Sequence, residues 1–168
     1  TSNSSLPHIK EINVYRDTDF MVIDESSRRN LEIVSNLRDG SHQFSLLETL
    51  NHGSTAMGKR LIRRWLLSPL TDCNKIKKRQ DKVSEFVNRR ELLKTVRNHL
   101  SNILDVERLA SRIAVDRAHA KDLQALRLSL ESWIDVRNLT DSFNICDLDT
   151  RKSNEIIDLI KSSIIEEP

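Results

Sequence analysis

From Asp24 onward, apolar residues recur at intervals of three and four with few breaks, and this period constrains the fold more than any other feature of the chain. Val106, Leu109, Ala110 and Ile113 fall at i, i+3, i+4 and i+7, which puts all four on one face of an α-helix. Residues that would interrupt the pattern are scarce, with three Gly and three Pro among 168 residues. A turn-rich β fold needs more of both, whereas the abundant Leu, Arg, Lys and Glu are good helix formers. The expected fold class is mainly all-α, a multi-helix core domain. Aromatics make up only 4% of the chain, so its core must rest on Leu, Ile and Val.

Thr140 to Ser153 is polar and loop-like, and the N-terminal part also departs from the helical period. Thr1 to Ser5 is polar. Glu11–Tyr15 and Phe20–Ile23 are short β-like runs separated by Arg16-Asp17-Thr18-Asp19, a spacing that predicts a short N-terminal β-hairpin. Helices then follow. Asp24 or Ser26 caps one reaching about Leu37, with Leu31, Val34 and Leu37 on one face and Asp39-Gly40 ending it. Another covers Gln43–Asn51, with Phe44, Leu47 and Leu50 inward. A third starts near Thr55 and carries Met57, Leu61, Ile62, Trp65 and Leu66 as its stripe until Pro69 stops it. Asp72 caps a fourth, with Ile76, Val83 and Val87 recurring along it. Glu91–Leu100, Asp105–Ala114 and Lys121 to about Leu139 complete the run, and a last helix starts near Asn154 and stacks Ile156, Ile160 and Ile164.

Few residues point to chemistry. Gly53-Ser54-Thr55-Ala56-Met57-Gly58-Lys59 imitates a phosphate-binding loop, but Arg60 stands where a Mg²⁺-holding hydroxyl belongs. The preceding segment is helical rather than a buried strand, so this stretch is a loop and helix start with Thr55 as N-cap. The five histidines show no metal spacing, and no nucleophile elbow is present. No catalytic residue, cofactor site or metal site is assigned. Cys73 and Cys146 lie far apart with no Cys/His cluster, which suggests reduced structural thiols. No apolar run approaches the ~20 residues that span a bilayer, so no membrane role is expected. The densest positive stretch includes Lys59, Arg63, Arg64, Lys75 and Lys78. It is a candidate DNA-facing patch, but 27 basic against 25 acidic residues make a solvated surface the better reading.

Three segments together resemble the MutS family of DNA mismatch repair proteins, in its bacterial form. The first is Asp24-Glu25-Ser26-Ser27-Arg28-Arg29-Asn30-Leu31-Glu32, similar to the family's Asp-x-x-Thr-x-x-Asn-Leu-Glu. The second runs from Thr55 through Gly58, Arg60, Leu61, Trp65 and Leu66 to Pro69-Leu70. The third is Asp105-Val106-Glu107-Arg108-Leu109 with Arg112, followed by Arg117-Ala118 and Asp122-Leu123. Order and spacing agree across about Phe20 to Leu130. Asp116 stands where the family usually has Gly, and Ala120 where it often has Pro.

The resemblance implies that residues 9–168 form a single helical core, or lever, domain behind a linker or disordered N-terminus at residues 1–8, cut before the family's clamp region. The starting Thr1 likewise suggests a processed or truncated chain. It further implies a cytoplasmic parent that binds mismatched duplex DNA as a dimer, uses ATP and Mg²⁺, and meets a MutL-type partner. The fragment itself would be non-catalytic and hold no cofactor. Arg28–Leu37, Met57–Leu67 and Asp105–Ile113 are expected to form a rigid junction around a buried Trp65. Arg60 and Arg108 are expected to tie those helices through Glu32, Asp105 or Glu107. The rival readings are an accessory DNA-binding module using the basic face, and a helical protein-interaction scaffold unrelated to repair.

Overall fold

The computed structural model describes residues 19–141 and 150–164. Among the described residues there are eight helices: α1 (Glu25–Asn30), α2 (Leu46–Leu50), α3 (Ala56–Leu67), α4 (Cys73–Asn88), α5 (Arg90–Ser101), α6 (Val106–Ala114), α7 (Ala120–Thr140) and α8 (Arg151–Ser163). Most start where a short polar side chain can accept the first free N–H groups. Asp24, Ser45, Thr55, Asp72 and Asp105 each do so, at α1, α2, α3, α4 and α6. Gly58 belongs to the Thr55 cap, because a Cβ there would stand 3.0 Å from the capping hydroxyl.

The 21-residue α7 is the hub. α5, α6 and α8 all pack on it, and α4 packs on α5. The buried apolar side chains of this bundle are Val96, Ile103, Leu109, Val136, Ile157 and Ile160. Two polar residues of α7 are buried with them, and both are satisfied. Ser129 Oγ donates to Ala125 O at 2.7 Å and accepts the Leu104 N–H at 3.0 Å, while Thr140 Oγ1 donates to Val136 O at 2.8 Å. Lys161 of α8 reaches Glu131 of α7 at 2.9 Å, where Arg127 already pairs at 3.1 Å. Burial opposes ionisation of Glu131, but the two cations outweigh it and hold the carboxyl below its ordinary range.

The remainder, from Asp19 to Thr71, is built differently. α2 packs on α3, and Phe20 pairs with Leu70 as an isolated antiparallel bridge. Ile33 is its one buried apolar side chain among the described residues. The first strand of the expected hairpin, Glu11–Tyr15, lies outside the described residues. Phe20, of the second, finds its partner beyond α3 instead.

Several expected boundaries are corrected. α1 ends at Asn30, not Leu37, because Glu32 takes a left-handed φ of 49°. The Glu32 N–H donates to Arg29 O at 3.0 Å and the Ile33 N–H to Arg28 O at 3.2 Å, the pair of bonds that closes a left-handed helix end. Leu31 and Leu37 are therefore exposed, and Ile33 turns inward in their place. α2 is shorter than Gln43–Asn51, since Phe44 sits outside it at φ 61° and is 85% exposed. Leu50 is exposed too. Gly40, at φ 73°, closes a loop in which the Asn36 N–H meets Ser41 O at 2.9 Å, and ends no helix. Val83 and Val87 are exposed on α4. α8 begins at Arg151, and its inward face carries Ile157 and Ile160, not Ile156. Cys73 is exposed rather than structural. No described helix is long and apolar enough to cross a membrane.

Candidate coupling site

Two differently built regions meet at a small set of polar contacts, and Arg60 is the centre of them. Its position follows from α3. With Thr55 as N-cap, Arg60 falls on the second turn, facing the start of α6. There Asp105 is fixed as N-cap, its carboxylate near the Arg108 N–H at 3.4 Å. The Arg60 guanidinium donates to both Asp105 oxygens, at 2.7 and 2.8 Å, and to Glu107 Oε2 at 2.5 Å. A forked contact of this kind fixes orientation as well as distance. The Arg60 bonds hold the Asp105 carboxyl below its ordinary pKa, and Asp105 and then Glu107 raise that of Arg60.

Other contacts join the same two regions. Arg97 of α5 donates to the backbone carbonyl of His52 at 3.2 Å, between α2 and α3. Arg79 of α4 stacks over the Trp65 ring, with its guanidinium carbon 3.9 Å from the centroid. Lys75 of α4 lies 3.5 Å from Asp19. One further ion pair braces the receiving end of the site. Arg112 of α6 meets Asp122 at 2.5 Å, while the other Asp122 oxygen accepts the His119 N–H at 3.0 Å. The His119 bond leads in holding Asp122 below its ordinary pKa. Between them, Asp116 adopts φ 53°, and the Arg117 N–H returns to Arg112 O at 2.9 Å. A left-handed residue is what that helix end needs, and Asp tolerates it better than most.

The structure thus brings together Thr55, Gly58, Arg60, Asp105 and Glu107, and beside them Arg112 and Asp122. Other predicted residues stand elsewhere. Asp24 caps α1, accepting the Ser27 N–H at 2.9 Å and the Ser27 hydroxyl at 2.6 Å. The Ser26 and Ser27 hydroxyls lead in driving the Asp24 pKa far down. Asn30 ends the helix and Leu31 is exposed. Glu32 takes no part in the ion pairs, because its carboxylate accepts the Leu37 N–H at 2.6 Å. Arg108 ties no helices together; it reaches Asp105 of its own first turn at 3.5 Å. Trp65 is 40% exposed, so it is not the buried anchor expected of it. Pro69 O accepts the Met21 N–H at 2.8 Å. Among the candidate basic residues, Lys59, Arg63, Arg64 and Lys78 are exposed. The Arg97–His52 and Lys161–Glu131 links escaped sequence reasoning, since nothing in local spacing foretells contacts between distant helices.

No group of His, Cys, Asp and Glu suited to a metal occurs among the described residues. Gly53 to Lys59 is a loop and the capped start of α3, preceded by α2 and not by a strand. Fold and site together define a helical module whose two parts are joined by forked and stacked polar contacts.

Comparison with known proteins gives the module its family. The model of MutS domain III matches residues 26–168. The DNA mismatch repair protein MutS of Treponema denticola is 41% identical, covering 97% of this chain and 19% of that protein. Its counterpart from Treponema pallidum is 46% identical over 83% of this chain and 15% of its own length. That of Clostridium perfringens is 39% identical over 100% of this chain and 19% of its own. The chain belongs to the MutS family of DNA mismatch repair proteins and corresponds to its domain III. It spans about a fifth of the length of these relatives. Membership in this family sets aside the reading as a scaffold unrelated to repair.

Proposed function

We propose that this chain is the lever of a mismatch repair ATPase: it couples mismatch-reading and clamp regions to a distant ATPase and performs no reaction itself. The parent would bind mismatched duplex DNA as a dimer, use ATP and Mg²⁺, and engage a MutL-type partner. The observation that carries the coupling role is the forked Arg60–Asp105 contact between two regions whose helices pack chiefly among themselves. Packed cores shift between discrete arrangements, so a stiff bundle joined by a specific polar link to a neighbouring segment can pass displacement to it. The expected core of three helices is redistributed accordingly. α6 packs on α7, and its link to α3 is the ion pair.

The test is made in a protein of the relatives' length that carries this segment. Arg60→Ala should leave basal ATP hydrolysis and mismatch affinity nearly unchanged and reduce the response of hydrolysis to mismatched DNA. Exchanging the charges, with Arg60→Asp and Asp105→Arg together, should restore part of that response. An unchanged response in Arg60→Ala would reject the coupling role.

The second reading, an accessory DNA contact, rests on Lys59, Arg63, Arg64 and Lys78, which make no ion pair among the described residues. Phosphate neutralisation makes affinity fall steeply with salt, with a slope set by the number of contacts. A salt titration with duplex DNA that loses about one unit of slope in Lys59→Gln would favour it.

A further inference from the structure

A cleft of about 410 Å³ opens between α1, the 34–40 loop and α3. Three arginines line it: Arg28 and Arg29 from the last turn of α1, and Arg63 from α3. Glu25 is the one acid on its wall, and Val34 and Leu67 supply apolar surface. Two observations set it apart from an ordinary basic surface. None of the three guanidinium groups has an ion pair or acceptor among the described residues. And the Nε of Arg28 is buried without a hydrogen-bond partner. Buried donors are almost always satisfied, so the Arg28 guanidinium stands in the cleft wall with hydrogen-bonding capacity that no described residue uses. The two terminal nitrogens of a guanidinium form a fork that matches the two oxygens of a carboxylate.

We propose that this cleft binds a carboxylate, carried by an acidic side chain next to an aliphatic one on a protein segment that docks against α1 and α3. The charge argument is direct, since three cations face one acid. Shape favours a side chain over a duplex. The concave form receives a side chain that projects into it, whereas a DNA backbone presents a continuous convex row of phosphates. Val34 and Leu67 would receive the neighbouring aliphatic residue. Nothing in this assignment uses the Arg60 contact, so it stands or falls separately from the coupling role.

The test follows the arginine Nε–Hε resonances of the chain by NMR during titration with a blocked Glu-Leu dipeptide, its Gln-Leu counterpart, inorganic phosphate and a short duplex. The expected result is a saturable shift of the Arg28 resonance with Glu-Leu and binding about tenfold weaker for Gln-Leu, the loss of one charge-assisted contact. Arg63→Gln should weaken Glu-Leu binding, and Arg28→Lys should weaken it more, because it keeps the charge and loses the fork. Amide shifts of α7 and α8 unchanged in both variants would show that each remains folded. The proposal fails if Glu-Leu gives no saturation up to its solubility limit. It fails equally if Gln-Leu binds as well, or if phosphate or the duplex shifts Arg28 at lower concentration than Glu-Leu does.

Discussion

The bundle of α4 to α8 and the segment of α1 to α3 are parts of one chain, yet different forces hold them. Six of the seven buried apolar side chains among the described residues lie between Val96 and Ile160, and only Ile33 lies in the other part. The bundle is an apolar core closed around α7. The α1–α3 segment is a set of short capped helices and left-handed turns, held by hydrogen bonds within itself and by polar contacts to the bundle. Apolar burial is non-directional and scales with area, while polar links depend on geometry, charge and salt. The segment should therefore open more readily than the bundle, and be the part a partner or a change of solvent can move.

The comparison breaks most visibly in the core. Ile103→Ala should cost about 3 kcal/mol, within the range for emptying a buried aliphatic site, and lower the denaturation midpoint of the bundle. Leu31→Ala, at a residue 64% exposed, should cost less than about 0.5 kcal/mol in the same measurement. Equal losses would mean that the two regions do not differ as described. Next in size is Ser129→Ala, which leaves the Leu104 N–H without its acceptor and should cost about 2 kcal/mol by urea denaturation. Trp65→Ala should cost about 1–2 kcal/mol, below the figure for a fully buried ring, because the ring is partly exposed and what it loses besides is the stacked Arg79. Asp116→Val should cost about 1 kcal/mol through its left-handed backbone alone.

The smallest effect on global stability, and the most informative about the boundary, belongs to Asp105. Its folded pKa lies below the ordinary 3.8, chiefly through Arg60. Ionised Asp105 therefore binds fewer protons in the folded state than in the unfolded state on the acid side. Its stabilisation is complete above the ordinary carboxylate range and is lost as the pH falls through the depressed folded value. Asp105→Asn should flatten that acid limb. It should also speed hydrogen exchange in α3 at neutral pH, with exchange in α7 unchanged. Equal acceleration in both helices would remove the distinction between linked segment and core.

Some of this is legible in the sequence. Caps announce themselves locally, since a short acid or hydroxyl followed by a helical period needs only its own next turn: Thr55 and Asp72 read correctly, and Asp24 was one of two choices at α1. The i, i+3, i+4, i+7 pattern of α6 located that helix and its buried Leu109. The Arg60 contact was foreshadowed only as a choice among Glu32, Asp105 and Glu107. Glu32 dropped out because its carboxylate was taken by Leu37 one turn away. The period misled at Leu37, Phe44 and Ile156, where left-handed residues or a shift of face turned apolar side chains to solvent. Trp65 looked like core because it shares a stripe with Leu61 and Ile62, but that stripe has too little opposite it to be covered.

What the residues alone determined is the helical class, most helix starts and the family, because these rest on neighbours within a turn and on motif order. Which stripes are buried, which cations find acids and where a cleft opens were decided by the tertiary structure. Those properties depend on elements separated along the chain being brought within a few ångströms, and local sequence holds no record of that distance.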